Sequence, residues 1–145
     1  IGPVPVTETE IEQVFLNVLK NAAQAMAGGL KPGVRGRIVL RTMEEPGGVR
    51  VEIEDNGPGM TSEERRRAFE PFFTTKPPGM GTGLGLSVSF FIVARNHGGE
   101  MRLESAPGGG TLCVIRLPNR KAEDAPAHAA QSPQTRRDPG GDVPA

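Results

Sequence analysis

Four groups of residues in this sequence have the type and spacing to handle a phosphorylated ligand. The first is Gly81-Thr82-Gly83-Leu84-Gly85-Leu86-Ser87, where every second residue is glycine. Glycine removes the Cβ where backbone must come close to something, and it accepts positive φ without steric cost. The loop runs into an apolar, helix-compatible stretch from Leu84 to Ala94, which delivers its amides at a helix N-terminus. First-turn amides that lack intrahelical acceptors, together with the positive end of the helix dipole, suit phosphate. For so short a string, a flexible turn between two elements is the plain alternative.

The second group is a stripe of amides. At ~100° per residue, Gln13, Asn17, Asn21 and Gln24 fall within a sector of roughly 80° on one helix. Asparagine is a mediocre helix former because its amide competes for backbone hydrogen bonds. Two of them at i, i+4 beside a buried face point to a ligand, with a solvated helix edge as the alternative. The third group is Asp55-Asn56-Gly57-Pro58-Gly59-Met60, a carboxylate at a strand end whose glycines admit a flat ligand, or else a turn that the Asp caps. The fourth is Lys76, in a segment bounded by prolines and glycine.

Composition narrows the setting for this chemistry. The chain has 145 residues, of which 36% are hydrophobic, enough for one domain with a modest core. Seventeen basic and seventeen acidic residues cancel, which leaves no basic field for nucleic acid and no acidic one for a cationic partner. The single cysteine, Cys113, excludes an internal disulfide and a cysteine-based zinc site, and reads as a small core residue. No apolar run approaches the ~18 residues of a membrane span, and no charged-then-apolar leader opens the chain. These features describe a soluble domain of a reducing compartment, cytoplasmic in expectation.

The elements that must position the four groups follow in order. Residues 1–7 form a short extended lead-in from an upstream domain. Thr7 with Glu10 has the pattern of a capping box, and Gly28-Gly29 closes a helix whose buried face is Ile11, Val14, Phe15, Val18, Leu19, Ala22 and Met26. Two alternating runs, 37–43 and 49–55, flank Pro46-Gly47-Gly48 as an antiparallel hairpin. Thr61 or Ser62 starts a short charged helix through Ala68. Phe69, Phe72 and Phe73, three of the chain's six phenylalanines, then form a hinge packed on the core, followed by a mobile lid that carries Lys76. The glycine loop and its helix run to His97 and end at Gly98-Gly99. A second hairpin, 100–105 and 111–117, closes the domain. From residue 119 onward the composition turns to Pro, Ala, Gly, Gln and charges, a disordered tail. The order predicts a two-layer α/β (α+β) sandwich in which a mostly antiparallel sheet of four or five strands carries helices on one face.

Together the four groups supply what a nucleotide needs. A carboxylate accepts from an exocyclic amino group, amide oxygens can ligate Mg²⁺, and backbone amides with a lysine hold phosphates. The sequence lacks a G-x-x-x-x-G-K-[ST] loop, and its glycine loop follows a lid rather than a strand, so neither a P-loop nor a Rossmann site is present.

In their order and spacing, these motifs resemble the ATP-binding catalytic domain of bacterial sensor histidine kinases, in the superfamily shared with DNA gyrase, MutL and a heat-shock chaperone. The resemblance covers about residues 8–118. It rests on an asparagine box (Gln13 to Ala22), a first glycine box (Asp55 to Met60), a phenylalanine box (Phe69 to Lys76) and a second glycine box (Gly81 to Ser87). The style of N-A-A-Q-A-M with F-E-P-F-F-T-T-K is similar to the nitrogen-regulation branch. The resemblance implies a Bergerat-type fold, ATP and Mg²⁺ as cofactors, Asn21 as the metal ligand and Asn17 as its supporter. It implies that Asp55 binds the adenine amino group while Gly57 and Gly59 shape the pocket. Lys76 and the loop of Thr82, Gly83, Leu84, Gly85 and Leu86 would handle the β- and γ-phosphates, and Thr111 would reach the adenine region through water.

Two departures from the family pattern alter the expectation. Where many members carry Lys-Tyr after the metal asparagine, this chain has Gln24-Ala25, so Lys76 carries more of the phosphate contact. Where hydrolytic relatives place a glutamate base, it has Asn17, an amide that cannot take a proton. Slow hydrolysis and a nucleotide held for transfer follow. The chain has two histidines, His97 at a helix end and His128 in the tail, and neither sits on a phosphoacceptor hairpin. The phosphoacceptor-histidine dimerisation domain is therefore expected upstream, with a response regulator acting through it. The fragment itself should be a monomer that does not autophosphorylate. The alternative is a nucleotide-gated interaction module without phosphotransfer. A gyrase-like ATPase that clamps nucleic acid is disfavoured by Asn17, by the phenylalanine box and by zero net charge.

Overall fold

The computed structural model describes residues 1–120, so the expected tail lies outside the described residues apart from Asn119 and Arg120. The elements are α1 (Glu8–Gly29), β1 (Ile38–Glu45), β2 (Gly48–Asp55), α2 (Ser62–Arg67), α3 (Gly85–Phe91), β3 (Glu100–Ser105) and β4 (Thr111–Pro118). A π-helical turn, Ile92–Asn96, continues α3. The four strands form one fully antiparallel sheet in the order β1-β2-β4-β3. The expected α/β sandwich is present, with four strands.

Period-two alternation builds the sheet. On its inner face Val49, Val51 and Ile53 of β2 lie beside Leu117, Ile115 and Cys113 of β4. Ile11, Val14 and Val18 of α1, with Ile92 and Val93 after α3, pack on these side chains, and all of them are buried. The outer face carries arginine and glutamate in facing positions. Arg41 meets Glu54 at 2.6 Å, and Arg116 meets Glu45 at 3.0 Å and Glu100 at 3.1 Å. Part-exposed pairs of this kind contribute little to stability and cancel one another's charge. Among the described residues no helix is long and apolar enough to cross a membrane.

The N-terminus of α1 differs from expectation. Thr7 stands at the cap position, but its side chain makes no capping bond. Instead its backbone N–H donates to His97 Nε2 at 3.0 Å, while Glu10 accepts from Asn96 Nδ2 at 2.7 Å. His97 is buried, and its Nδ1 faces the Ile92 carbonyl at 2.9 Å. One neutral tautomer serves both bonds, with Nδ1 donating and Nε2 accepting. His97 thus ties the lead-in to the end of α3, a more specific role than a polar group suited to a helix terminus. The capping box forms instead at α2, where Thr61 Oγ1 accepts from Glu64 N–H and Glu64 reaches back to Thr61 N–H.

Cys113 sits in mid-sheet, and burial pushes its thiol up from 9.0 to about 12. A raised thiol value means that this stabilisation is complete below the ordinary value. It is lost as pH rises from there towards the folded value, at about 1.4 kcal/mol per pH unit. Native protein at pH 8 should therefore resist a maleimide reagent until urea unfolds it. Fast labelling of the native protein, read by mass spectrometry, would contradict this placement.

Candidate nucleotide site

Helix α1 forms the floor of the site. From Asn17, which lies against Gly85, to Met26, which lies against Gly57, the helix advances about 14 Å. The residues expected to meet a base lie at one end of this floor, and those expected to meet phosphates at the other.

At the end expected to meet a base, Asp55 closes β2 and is buried. Its Oδ1 accepts from the Gly57 N–H at 2.9 Å and from the Thr111 N–H at 3.3 Å. These bonds fix the carboxyl and leave Oδ2 without a hydrogen bond among the described residues. Gly57 must be glycine for this arrangement, because a Cβ there would lie 2.9 Å from Asp55 Oδ1. Gly110 has φ +91, and a Cβ on it would lie 2.0 Å from the Asp55 carbonyl oxygen. Its own carbonyl accepts from the Ala106 N–H at 3.1 Å. The β3–β4 turn is thereby pressed onto the end of β2, which is how Thr111 reaches Asp55. A groove of about 590 Å³ lined by Arg35, Gly36, Arg37, Ile38 and Asn56 adjoins this end, but includes neither Asp55 nor any phosphate-end residue.

At the phosphate end, Asn17 Nδ2 donates to the Gly85 carbonyl at 3.2 Å and to Ser89 Oγ at 3.1 Å. Ser89, fully buried, donates in turn to the same carbonyl at 2.8 Å. This web locks the start of α3 against α1. The first-turn amides, including those of Gly85 and Leu86, have no intrahelical acceptor. The Leu84 N–H is directed at Thr82 Oγ1, 3.3 Å away, a local hydroxyl turn that shapes the loop. Gly83, at φ +69, would place a Cβ 2.5 Å from the Phe72 carbonyl carbon. The Phe72 N–H donates to the Gly83 carbonyl at 2.9 Å, so the phenylalanine segment and the glycine loop are joined through their backbones.

Lys76 crosses to α1. Its ammonium donates to Asn21 Oδ1 at 3.2 Å and to Gln24 Oε1. Burial, and secondarily the nearby Lys20, hold this amine below its ordinary value. Among the described residues no three His, Cys, Asp or Glu side chains gather to hold a metal ion. A cation at Asn21 would therefore rely on the amide oxygen and on ligand oxygens.

The structure thus brings Asp55, Gly57, Gly59 and Thr111 together at one end, and Asn17, Asn21, Lys76 and the 82–86 loop at the other. Gln13, although in the stripe, is exposed and makes no side-chain hydrogen bond among the described residues. The phenylalanines behave unequally. Phe69 stacks on Phe90 with centroids 4.9 Å apart, and Phe73 lies under the Arg67 guanidinium. Phe72 is 75% exposed at φ 66, so it is not part of a packed hinge. Sequence reasoning passed over Ser89, Gly110 and the Gln24–Lys76 contact. Only Ser89 left a signal, as a hydroxyl four residues after Gly85 in a helix that is apolar apart from Ser87.

Comparison with known proteins identifies the family of this fold. The family described as histidine kinase-, DNA gyrase B-, and HSP90-like ATPase matches residues 6–121. The two-component sensor PprA of Pseudomonas aeruginosa is 46% identical over 112 residues, 75% of this chain and 12% of that protein. The catalytic domain of histidine kinase ThkA superposes with a TM-score of 0.68 at 34% identity, over 80% of this chain and 70% of that one. Full-length ShkA in complex with AMPPNP gives 0.62 at 28% identity, over 75% of this chain and 21% of that one. This chain spans from 12% to 24% of the length of such curated relatives. The family match over residues 6–121 and these relatives show that the chain belongs to the histidine kinase-, DNA gyrase B- and HSP90-like ATPase family, as an ATP-binding catalytic domain of the sensor histidine kinase kind.

Proposed function

We propose that the chain binds Mg-ATP and supplies its γ-phosphoryl group to a histidine on an upstream dimerisation domain of a longer, cytoplasm-facing kinase. A response regulator would then be served through that domain, and the chain alone would be a monomer. The observation that carries this reading is the two-ended floor: a fixed carboxylate at Met26, and an amide-and-lysine cluster beside a glycine loop at Asn17 and Asn21.

In this reading, Asp55 Oδ2 accepts from the adenine amino group, Gly57 and Gly59 let the ring approach the backbone, and Thr111 holds the carboxylate in place. Lys76 and the amides of Gly83, Gly85 and Leu86 take the phosphates. Asn21 suits Mg²⁺, because its amide oxygen already faces a cation, the Lys76 ammonium, and hard oxygen donors are what that metal takes. When bound, the metal would neutralise charge on the phosphates. Asn17 has its amide donor committed to Gly85 and Ser89 and offers no base to activate water.

Titration calorimetry with ATP tests the reading. Micromolar binding is expected with Mg²⁺, about tenfold weaker in EDTA, as for loss of one charge-assisted contact. No binding by a folded wild-type domain would overturn it.

A further inference from the structure

Lys76 is the one polar bridge, among the described residues, between the 74–82 segment and α1. That segment has no helix or strand, and the only side-chain hydrogen bonds it makes to α1 are the two from this ammonium. One goes to Asn21 and the other to Gln24, three residues on and on the same helix face. Gly81 lets the lysine stem pass, since a Cβ there would lie 2.9 Å from Lys76 Cδ. Gln24 is an exposed helical residue, and no packing requirement explains why its amide oxygen faces the ammonium.

We infer that Gln24 is a positioning residue that holds Lys76 on Asn21, so that the lysine and a divalent cation compete for one amide oxygen. This deepens the proposed function and rests on it. Two positive charges a few ångströms apart in a partly desolvated site repel strongly, so a cation that takes Asn21 Oδ1 displaces the ammonium. Nucleotide bound without metal meets the held ammonium at its phosphates. Nucleotide bound with metal finds the ammonium already dislodged, and the Gln24 anchor then opposes binding rather than assisting it. Gln24 therefore sets how strongly nucleotide binding depends on the metal, a different effect from simply raising affinity.

Gln24→Met tests this, because methionine has similar length and helix propensity but a sulfur that is at best a weak acceptor. The probe is AMPPNP, titrated calorimetrically with Mg²⁺ and with EDTA. In the variant, binding in EDTA should weaken about fivefold while binding with Mg²⁺ is unchanged or tighter, so the ratio of the two constants rises about fivefold. In a Lys76→Met background the Gln24 substitution should leave that ratio unchanged, the non-additivity expected of a pair that acts as a unit. A purely structural role for Gln24 would move both constants by one factor, and that result, or no change in either, overturns the inference. Wild-type protein that binds no nucleotide at all overturns the functional reading, and this inference with it. Wild-type binding with an unaltered ratio overturns this inference alone.

Discussion

Asp55→Asn should leave the domain folded and weaken ATP binding by about 100-fold or more, an effect expected when a buried group meets the wrong partner. The reason lies in how the carboxyl is held. Oδ1 is taken by the Gly57 and Thr111 amides, both donors, and an asparagine would turn its own oxygen to them. The amide NH₂ is then forced into the outward position. In the proposed pose it would face the exocyclic amino group of adenine, donor against donor, and neither could be satisfied. The fold keeps its two backbone bonds, so unfolding should shift by less than about 1 kcal/mol. Calorimetry with Mg-ATP and a urea titration on the same sample separate the two effects. Binding within a few-fold of wild type would mean that Asp55 does not meet the base. Asp55→Ala is a weaker test, because it also strands both amides and confounds binding with stability.

Gly110→Ala should cost about 3 kcal/mol or more of stability and take nucleotide binding with it, at the upper end of single-residue effects. Two separate causes combine. Gly110 has φ +91, where a side chain is strained whatever the space, and its Cβ would lie 2.0 Å from the Asp55 carbonyl oxygen. The turn would have to lift away from β2, which removes the Thr111 N–H from Asp55. Gly108 is the control. It lies in the same glycine run, has no positive φ, and a Cβ there meets nothing within 4 Å. Gly108→Ala should change stability by less than about 0.5 kcal/mol. Equal effects at the two positions, measured by urea unfolding, would show that the turn does not bear on the pocket.

Much of this architecture was legible because it is local. The three-and-four spacing from Ile11 to Ala22 exposes the buried face of α1 directly, and both hairpins follow from alternation around Pro46-Gly47-Gly48 and the 107–110 turn. Asn17, Asn21, Asp55 and the glycine loop could be singled out because each breaks a local preference for no local gain. What escaped depends on partners distant in sequence. Thr7 and Glu10 have the right types for a capping box, yet His97 and Asn96 compete for the same groups and prevail. Thr61 and Glu64, with no such competitors, form the box. Nothing near Phe72 announces that Gly83 will pin its backbone and turn its ring outward. Gln24 stands in the amide stripe, but its lysine partner is 52 residues away. The order β1-β2-β4-β3 was likewise out of reach, since the pairing of β2 with β4 skips over α2, the 74–82 segment, α3 and β3.

That strand order has a consequence for how the chain acquires its shape. β4 is the last of the described elements in sequence but lies between β2 and β3 within the sheet. Until Thr111–Pro118 is available, the hairpin of β1 and β2 has one bare edge, β3 has no partner, and Oδ1 of Asp55 lacks its second amide. Non-local pairings of this kind close late and slowly, after long stretches of chain have been ordered. In a polypeptide that emerges N-terminus first, the helix floor and the first hairpin come early, and the ligand pocket is completed only when the final strand slots into the middle. A copy truncated before residue 111 would therefore be an unclosed sheet with a bare edge, open to unwanted pairing with other chains, and not a weakened domain.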